Sequence, residues 1–483
     1  MDTPNNENNN NNENDIDKVM KLECGTSLAE MEYSNEHEHS AIAPATLTLP
    51  TTKPTSNTSI SNSSTSSCSS SIEDTINSIR NTLAADVVTS DNNHPLTTFT
   101  SPFETITAAQ TQTSTHTSTS TSTLSSSSSS RYHTLPLVYC DHTASNRPLH
   151  SIEQYIHRVC LPLYGNTHTN TSISGSQSTA FVAEARQIIA EECGAKITGK
   201  ASRDVVLFAG NGATSCVELL IDVLGIRGMN MTKHMNASED AGAGAGAGAG
   251  ARGEESEGRK GVVFCGPYEH HSNLLPWRES GCEIVMIREC PTTHNVDLVQ
   301  LENKLQQYQY QRDRDRDRYH PGPDYILMGA FSAASNVTGK ISPVDEIAVL
   351  LHQYNALAFF DYATGAPYLP INMNPSIIGG EKDAVMISPH KMMGGVQTPG
   401  ILILKKHLVH QTLAPRRSGG GTVFYVTHTH HRFLSNRIER FEGGTPNIVG
   451  IVRSGLTFLV KRRMEMEFKN AVMNANANAN ANA

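Results

Sequence analysis

Long apolar runs are missing from this 483-residue chain. No stretch of about 18 apolar residues occurs, so no segment is expected to cross a membrane. The charged-then-apolar pattern of a signal peptide is missing too. The first arginine is Arg80, while Asp2, Glu7, Glu13, Asp15 and Asp17 crowd the start, the reverse of an Arg-rich, acid-poor transit peptide. The expected compartment is therefore the cytoplasm. A basic patch is missing: the formal net charge is −9, and nucleic acid is not an expected partner. No CxxC pair occurs, and the nine cysteines are irregularly spaced, as expected of reduced thiols in an intracellular protein. Tryptophan occurs once, as Trp277, and is read as helix packing.

Asn, Ser and Thr fill residues 1–131, with runs such as Asn8–Asn12 and Ser125–Ser130. Such a segment buries too little apolar surface to offset its ordering entropy and is expected to be disordered. Residues 132–470 are expected to form one large folded domain, and 471–483 a low-complexity Asn/Ala tail. Two low-complexity insertions, 230–260 with its Ala-Gly repeat and 310–322 with RDRDRDR at Arg312–Arg318, are read as solvated surface loops.

Within the folded part, strands and helices alternate. A short strand is expected over Val138–Asp141, then a helix over Ser151–Cys160 ahead of Pro162. Tyr164–Ser178 is polar and too irregular for an element, and Thr179–Cys193 reads as an amphipathic helix. Apolar runs then predict strands at Asp204–Phe208, Gly261–Cys265, Glu283–Ile287, Tyr325–Gly329, Ala356–Asp361, Ala384–Ser388 and Gly400–Leu404. Helices are expected over Cys216–Leu224, up to Ser280, over Val296–Gln309 and over Val344–Tyr354. This rhythm implies an α/β fold around a mostly parallel sheet.

Ligands of open α/β sheets bind beyond the carboxyl ends of the strands, so the residues following each strand matter most. One run ends in Ser388, Pro389, His390 and Lys391. A desolvated lysine holds its proton weakly and can attack a carbonyl as a Schiff-base lysine does; the plain alternative is a loop lysine that snorkels to water. Gly210–Thr214 is a glycine turn opening a helix, suited to phosphate, although many such turns bind nothing. Tyr268–Asn273 carries His270 and His271, which read as a ring-stacking or basic imidazole, or as surface histidines in a capping loop. No metal is expected there for want of further ligands, and THTHH at Thr427–His431 reads as an exposed loop. Ser332, Ser335 and Asn336 follow another strand. Asp361 ends a buried strand, where a carboxylate needs a cation; a pyridinium nitrogen would serve. A phosphate cradle, a stacking histidine, an asparagine, a pyridinium-pairing aspartate and an amine together describe pyridoxal 5′-phosphate.

The order and spacing of DHTAS, GNGATS, YEHHSN, AASNVTG, Asp361, SPHKMMGG, SGGGT and RFEGGTPN span about Tyr139 to Gly455. They resemble the class V aminotransferase group of fold-type I enzymes, most nearly its cysteine desulfurase and selenocysteine lyase branch. The resemblance implies a PLP-dependent enzyme acting on a small-molecule amino acid as a homodimer. It implies that Lys391 bears the cofactor, Asp361 pairs with its ring nitrogen, and His270 stacks on the ring. It places Ala213, Thr214, Ser388 and His390 at the phosphate. Thr422 would reach the phosphate of the other subunit. Asn336 would touch the ring hydroxyl or the substrate, Arg440 would clamp the substrate carboxylate, and His168 would stand on the substrate side.

Two departures stand out. Thr364 occupies the place of the family's glutamine, shortening or losing a contact to the ring hydroxyl. All nine cysteines, Cys24 to Cys290, precede the lysine motif, and the family's C-terminal small domain with its persulfide-forming cysteine is expected to be missing. Transamination, loss of sulfur or selenium, and epimerisation therefore all stay open, as does a catalytically degenerate or truncated protein with a binding or structural role.

Overall fold

The structure, a computed structural model, describes residues 139–167, 171–226, 260–316, 325–409 and 413–481. The expected disordered arm, His168, residues 230–259 and residues 317–322 lie outside the described residues.

Seven strands form the central sheet: β1 (Asp204–Ala209), β2 (Lys260–Cys265), β3 (Glu283–Met286), β4 (Tyr325–Ser332), β5 (Leu357–Asp361), β6 (Ala384–Ile387) and β7 (Gly400–Lys405). They lie in the order β1-β7-β6-β5-β4-β2-β3. All pairs are parallel except the two made by β7, which runs against β1 and β6. β1, β6 and β7 are buried along their whole length. That burial explains their largely apolar runs, since a sheet covered on both faces leaves no side for polar alternation. The edge strand β3 is partly exposed.

The helices are α1 (His150–Tyr155), α2 (Ile173–Glu192), α3 (Gly212–Val223), α4 (Leu275–Glu279), α5 (Leu298–Arg316), α6 (Val344–Gln353), α7 (Arg437–Phe441) and α8 (Ile448–Ala481). One face of the sheet packs Leu207, Met386 and Phe359 with Val217 and Leu220 of α3 and with Trp277 of α4. Trp277 stacks on Phe359 with ring centroids 5.9 Å apart. α8 lies along α2, and they meet so closely that a Cβ on Gly455 would stand 3.0 Å from Ala185.

Several elements differ from the sequence expectation. Tyr139–Asp141 is not a strand; its segment is bound to the lysine loop rather than to a sheet edge. α2 begins at Ile173, inside the stretch expected to be irregular. Ser172 caps it by accepting the Gly175 N–H at 3.1 Å, so a serine-rich run starts a helix instead of a loop. After α1 the chain widens into a π-turn over Ile156–Cys160. α5 continues to Arg316, through five of the seven residues of the alternating-charge run expected to be a loop. The expected loop THTHH turns an exposed hairpin between β8 (Val423–Val426) and β9 (His431–Phe433).

Among the described residues no helix is long and apolar enough to cross a membrane. Among them, too, the cysteines are free thiols.

Candidate active site

The sheet register sets the site. Ser332 of β4 stands beside Asp361 of β5, and Asp361 beside Met386 of β6, so three chain segments leave the sheet together at one edge. A cavity of about 500 Å³ opens there. It is lined by Lys391, Asp361, His270, Asn336, Thr364, Ser388, His390, Ala213 and Thr214, together with Asp141, Thr143 and Ala144.

Lys391 reaches the cavity through a short detour. β6 ends at Ile387, and Pro389–Lys391 make one 3₁₀ turn started by proline. The chain then doubles back so tightly that a Cβ on Gly395 would lie 1.9 Å from the Pro389 carbonyl oxygen, which only glycine avoids. The DHTAS segment holds this turn from outside. The Asn146 N–H donates to the His390 carbonyl at 2.9 Å, the Asn146 side-chain amide to the Lys391 carbonyl at 3.3 Å, and the Gly394 N–H to the Arg147 carbonyl at 2.9 Å.

Next to it, β1 leads into α3 through Gly210–Gly212. Gly212 has φ +61, and a Cβ there would stand 2.8 Å from Ser388 Oγ. The Ala213 N–H donates to Ser388 Oγ at 2.8 Å. Thr214 Oγ1 meets Ser272 Oγ at 2.7 Å, and the Ser272 N–H donates to His270 Nδ1 at 3.2 Å. His270 Nδ1 is therefore an acceptor, which leaves the proton of a neutral imidazole on Nε2.

Electrostatics sharpen the picture. Burial raises the Asp361 carboxyl above its ordinary range. The Ala363 N–H, donating to Oδ1 at 2.8 Å, opposes that rise, as do the charges of Lys391 and His270. Burial lowers Lys391 below the usual lysine range, with Asp361 pulling the other way. His390 is lowered by burial and then by Lys391. Asp361 and Lys391 thus each shift against their charged forms through burial, and each opposes the other's shift through its charge.

Nine of the residues singled out from the sequence, Ala213, Thr214, His270, Asn336, Thr364, Asp361, Ser388, His390 and Lys391, are brought together in this one cavity. Thr422 and Arg440 do not line it. Thr422 is buried, and its hydroxyl donates to the Gly419 carbonyl at 2.6 Å. Arg440 is buried on α7, with its Nε donating to the Leu434 carbonyl at 2.8 Å. No arginine is among the residues lining the cavity. Sequence reasoning missed the bracing by Ser145 and Asn146, the Ser272 link and the part played by Glu269. DHTAS and YEHHSN marked these places, but the partners of Ser145 lie 245 residues away.

The donor set fits a flat, phosphorylated, aldehyde-bearing ring. The Gly212 turn and Ser388 leave room that a Cβ would fill, Asp361 is a buried acid that a protonated ring nitrogen would pair with, and Lys391 supplies an amine.

The fold and this edge define an open α/β protein with its ligand site at the carboxyl ends of the strands. Residues 251–480 match the family model described as aminotransferase class-V. A probable cysteine desulfurase of Pyrococcus abyssi is 24% identical over 334 residues, covering 68% of each chain. Another, from Chlamydia muridarum, is 30% identical over 199 residues, 40% of this chain and 44% of the relative. The chain therefore spans from under half to about two thirds of these relatives' lengths. The apo structure of a cysteine desulfurase from Thermococcus onnurineus superposes with a TM-score of 0.49 at 22% identity over 67% of each chain. Over these stretches the chain is similar to class V aminotransferases and to cysteine desulfurases.

Proposed function

We propose that this chain is a pyridoxal 5′-phosphate-dependent enzyme that acts on an amino acid, in the manner of cysteine desulfurases and class V aminotransferases. The observation that carries the reading is the placement of Lys391, a half-buried amine of lowered proton affinity, in one cavity with the buried carboxyl of Asp361. When bound, the cofactor supplies an aldehyde for joining amines and an electron-withdrawing ring.

Lys391 would hold the cofactor through its amine, and the same amine would be the group placed to move the substrate's Cα proton. Asp361 would keep the ring nitrogen protonated, and His270, fixed through Ser272, would cover one ring face. The Ala213 N–H, Thr214, Ser388 and His390 hold the phosphate at the start of α3, where the helix dipole favours an anion. Thr364 and Asn336, which line the cavity, would meet the ring hydroxyl and the substrate. Arg440 serves as the carboxylate clamp only by leaving the Leu434 carbonyl, and Thr422 serves the phosphate of the other subunit in a homodimer.

Purified chain incubated with pyridoxal 5′-phosphate and then desalted of unbound cofactor should stay yellow, and Lys391→Ala treated in the same way should be colourless. Persistence of the colour in that variant overturns the assignment of Lys391. L-cysteine should then shift the absorbance; release of alanine and sulfide selects desulfuration among the open outcomes.

A further inference from the structure

Glu269 stands beside the cavity, and the chemistry above does not use it. Four donors converge on its carboxylate. Oε1 accepts the Ser332 N–H at 2.9 Å and the Gly266 N–H at 3.2 Å. Oε2 accepts the Ser332 hydroxyl at 2.8 Å and the Asn273 side-chain amide at 2.6 Å. These donors sit just past the end of β2, at the end of β4 and in the short 3₁₀ turn that precedes α4. Gly266 leaves the space for this: a Cβ there would lie 2.9 Å from Oε1.

The position is costly for a carboxyl. Burial pushes Glu269 up to about 7; the bonds from Ser332 and Asn273 oppose the rise and the charge of Asp361 adds to it.

We propose that Glu269 is a positioning residue for the cofactor ring, its carboxylate tying the ends of β2 and β4 to the turn that presents His270 and Ser272. His270 is the next residue in the chain, so a fixed Glu269 fixes the imidazole's starting point. Ser332 pairs with Asp361 across β4 and β5, so the same carboxylate relates the ring-stacking side to the ring-nitrogen side. This assignment rests on the pyridoxal phosphate reading.

The structure supplies its own control. Asn273 is fully buried, and its Oδ1 has no partner among the described residues. In Glu269→Gln, the Asn273 amide can turn over and accept from the new Nε2, while the Ser332 hydroxyl reverses its direction. The tie survives without its charge. Glu269→Ala removes it.

The test titrates the full-length apo-protein with pyridoxal 5′-phosphate. It follows Trp277 fluorescence for affinity and the induced circular dichroism of the bound ring for its orientation. Thermal melting of the apo-protein serves as the folding check. Glu269→Ala should weaken binding by about tenfold and diminish the induced signal, and Glu269→Gln should stay within about twofold of the parent. Should Glu269→Ala fail to fold, Gly266→Ala takes its place, since it crowds Oε1 and should reproduce the loss. The assignment is overturned if the alanine variant binds with unchanged affinity and signal. It is equally overturned if the glutamine variant is as weak as the alanine variant. A parent chain that takes up no cofactor overturns the proposed function itself, a result separate from either.

Discussion

Lys391 and Asp361 each contradict the usual rule for charges in a protein interior, and each does so in a direction that serves the other. Burial lowers the lysine and raises the aspartate, and the attraction between them limits both shifts. Only the unprotonated amine attacks a carbonyl, so a lowered lysine reacts at lower pH than an exposed one, whose midpoint is about 10.4. The rate of cofactor uptake by the apo-protein should therefore rise with pH through a midpoint below that value. Asp361→Asn should move the midpoint lower still, because the group that favours the ammonium is gone. Stopped-flow absorbance across a pH series checks both. These two residues were legible in the sequence because each ends an apolar run, where a charge is conspicuous. Glu269 follows Cys265 by four positions and looked like one polar residue in a polar loop. Its weight comes from Ser332, 63 residues on, which no local pattern could supply.

The elements were legible where burial is continuous and illegible where polar residues make local bonds. The strand from Gly400 illustrates the first case and carries a constraint of its own. It packs against the turn that opens α3, and a Cβ on Gly400 would lie 2.2 Å from the Gly212 carbonyl oxygen. Neither backbone can yield. Gly400→Ala should displace the Gly212–Thr214 turn, destabilise the fold by about 1–3 kcal/mol in denaturant unfolding, and abolish cofactor binding in the same titration. At the crossing of α2 and α8, Gly455→Val should cost a similar amount while leaving the site's spectroscopy unchanged, since the cavity is lined from neither helix. The start of α2 illustrates the second case. Ser172 and Thr179 bond to nearby backbone, and such residues read equally well as loop or as helix cap until the packing of Phe181 and Ala185 decides.

Across the whole molecule, buried polar ties fasten the side of the sheet remote from the site. Asp204, fully buried at the start of β1, accepts from Lys405 at 2.9 Å, from Asn374 at 2.7 Å and from the Lys196 N–H at 2.7 Å. Asp204→Ala leaves a buried ammonium unpaired and should lower stability by about 3–5 kcal/mol in urea. His352 offers a pH-dependent tie. Its Nδ1 donates to the Gly379 carbonyl at 2.7 Å and its Nε2 to Asp383 at 2.9 Å, an arrangement that needs the imidazolium. The Asp383 bond is the main cause that raises His352 above the usual histidine range. A raised histidine contributes stability that is fully present below about 6.5 and is lost as pH rises through the folded value. Melting temperature should fall over that window, and His352→Gln should flatten the dependence.

The sequence by itself determined the seven sheet strands, because a run of apolar side chains is driven out of water whatever surrounds it. It also determined the identity of the groups at their ends, because a lysine or aspartate there is costly without a purpose. Only the tertiary structure decided which strand ends stand together. Adjacency in the order β1-β7-β6-β5-β4-β2-β3 arises from pairing between distant segments. The same long-range pairing set Asn146 against the lysine turn, closed Glu269 onto Ser332, and left Arg440 and Thr422 outside the cavity of the single chain. Hydrophobicity is a property of each residue, whereas a hydrogen bond exists only once both partners have been brought to one place.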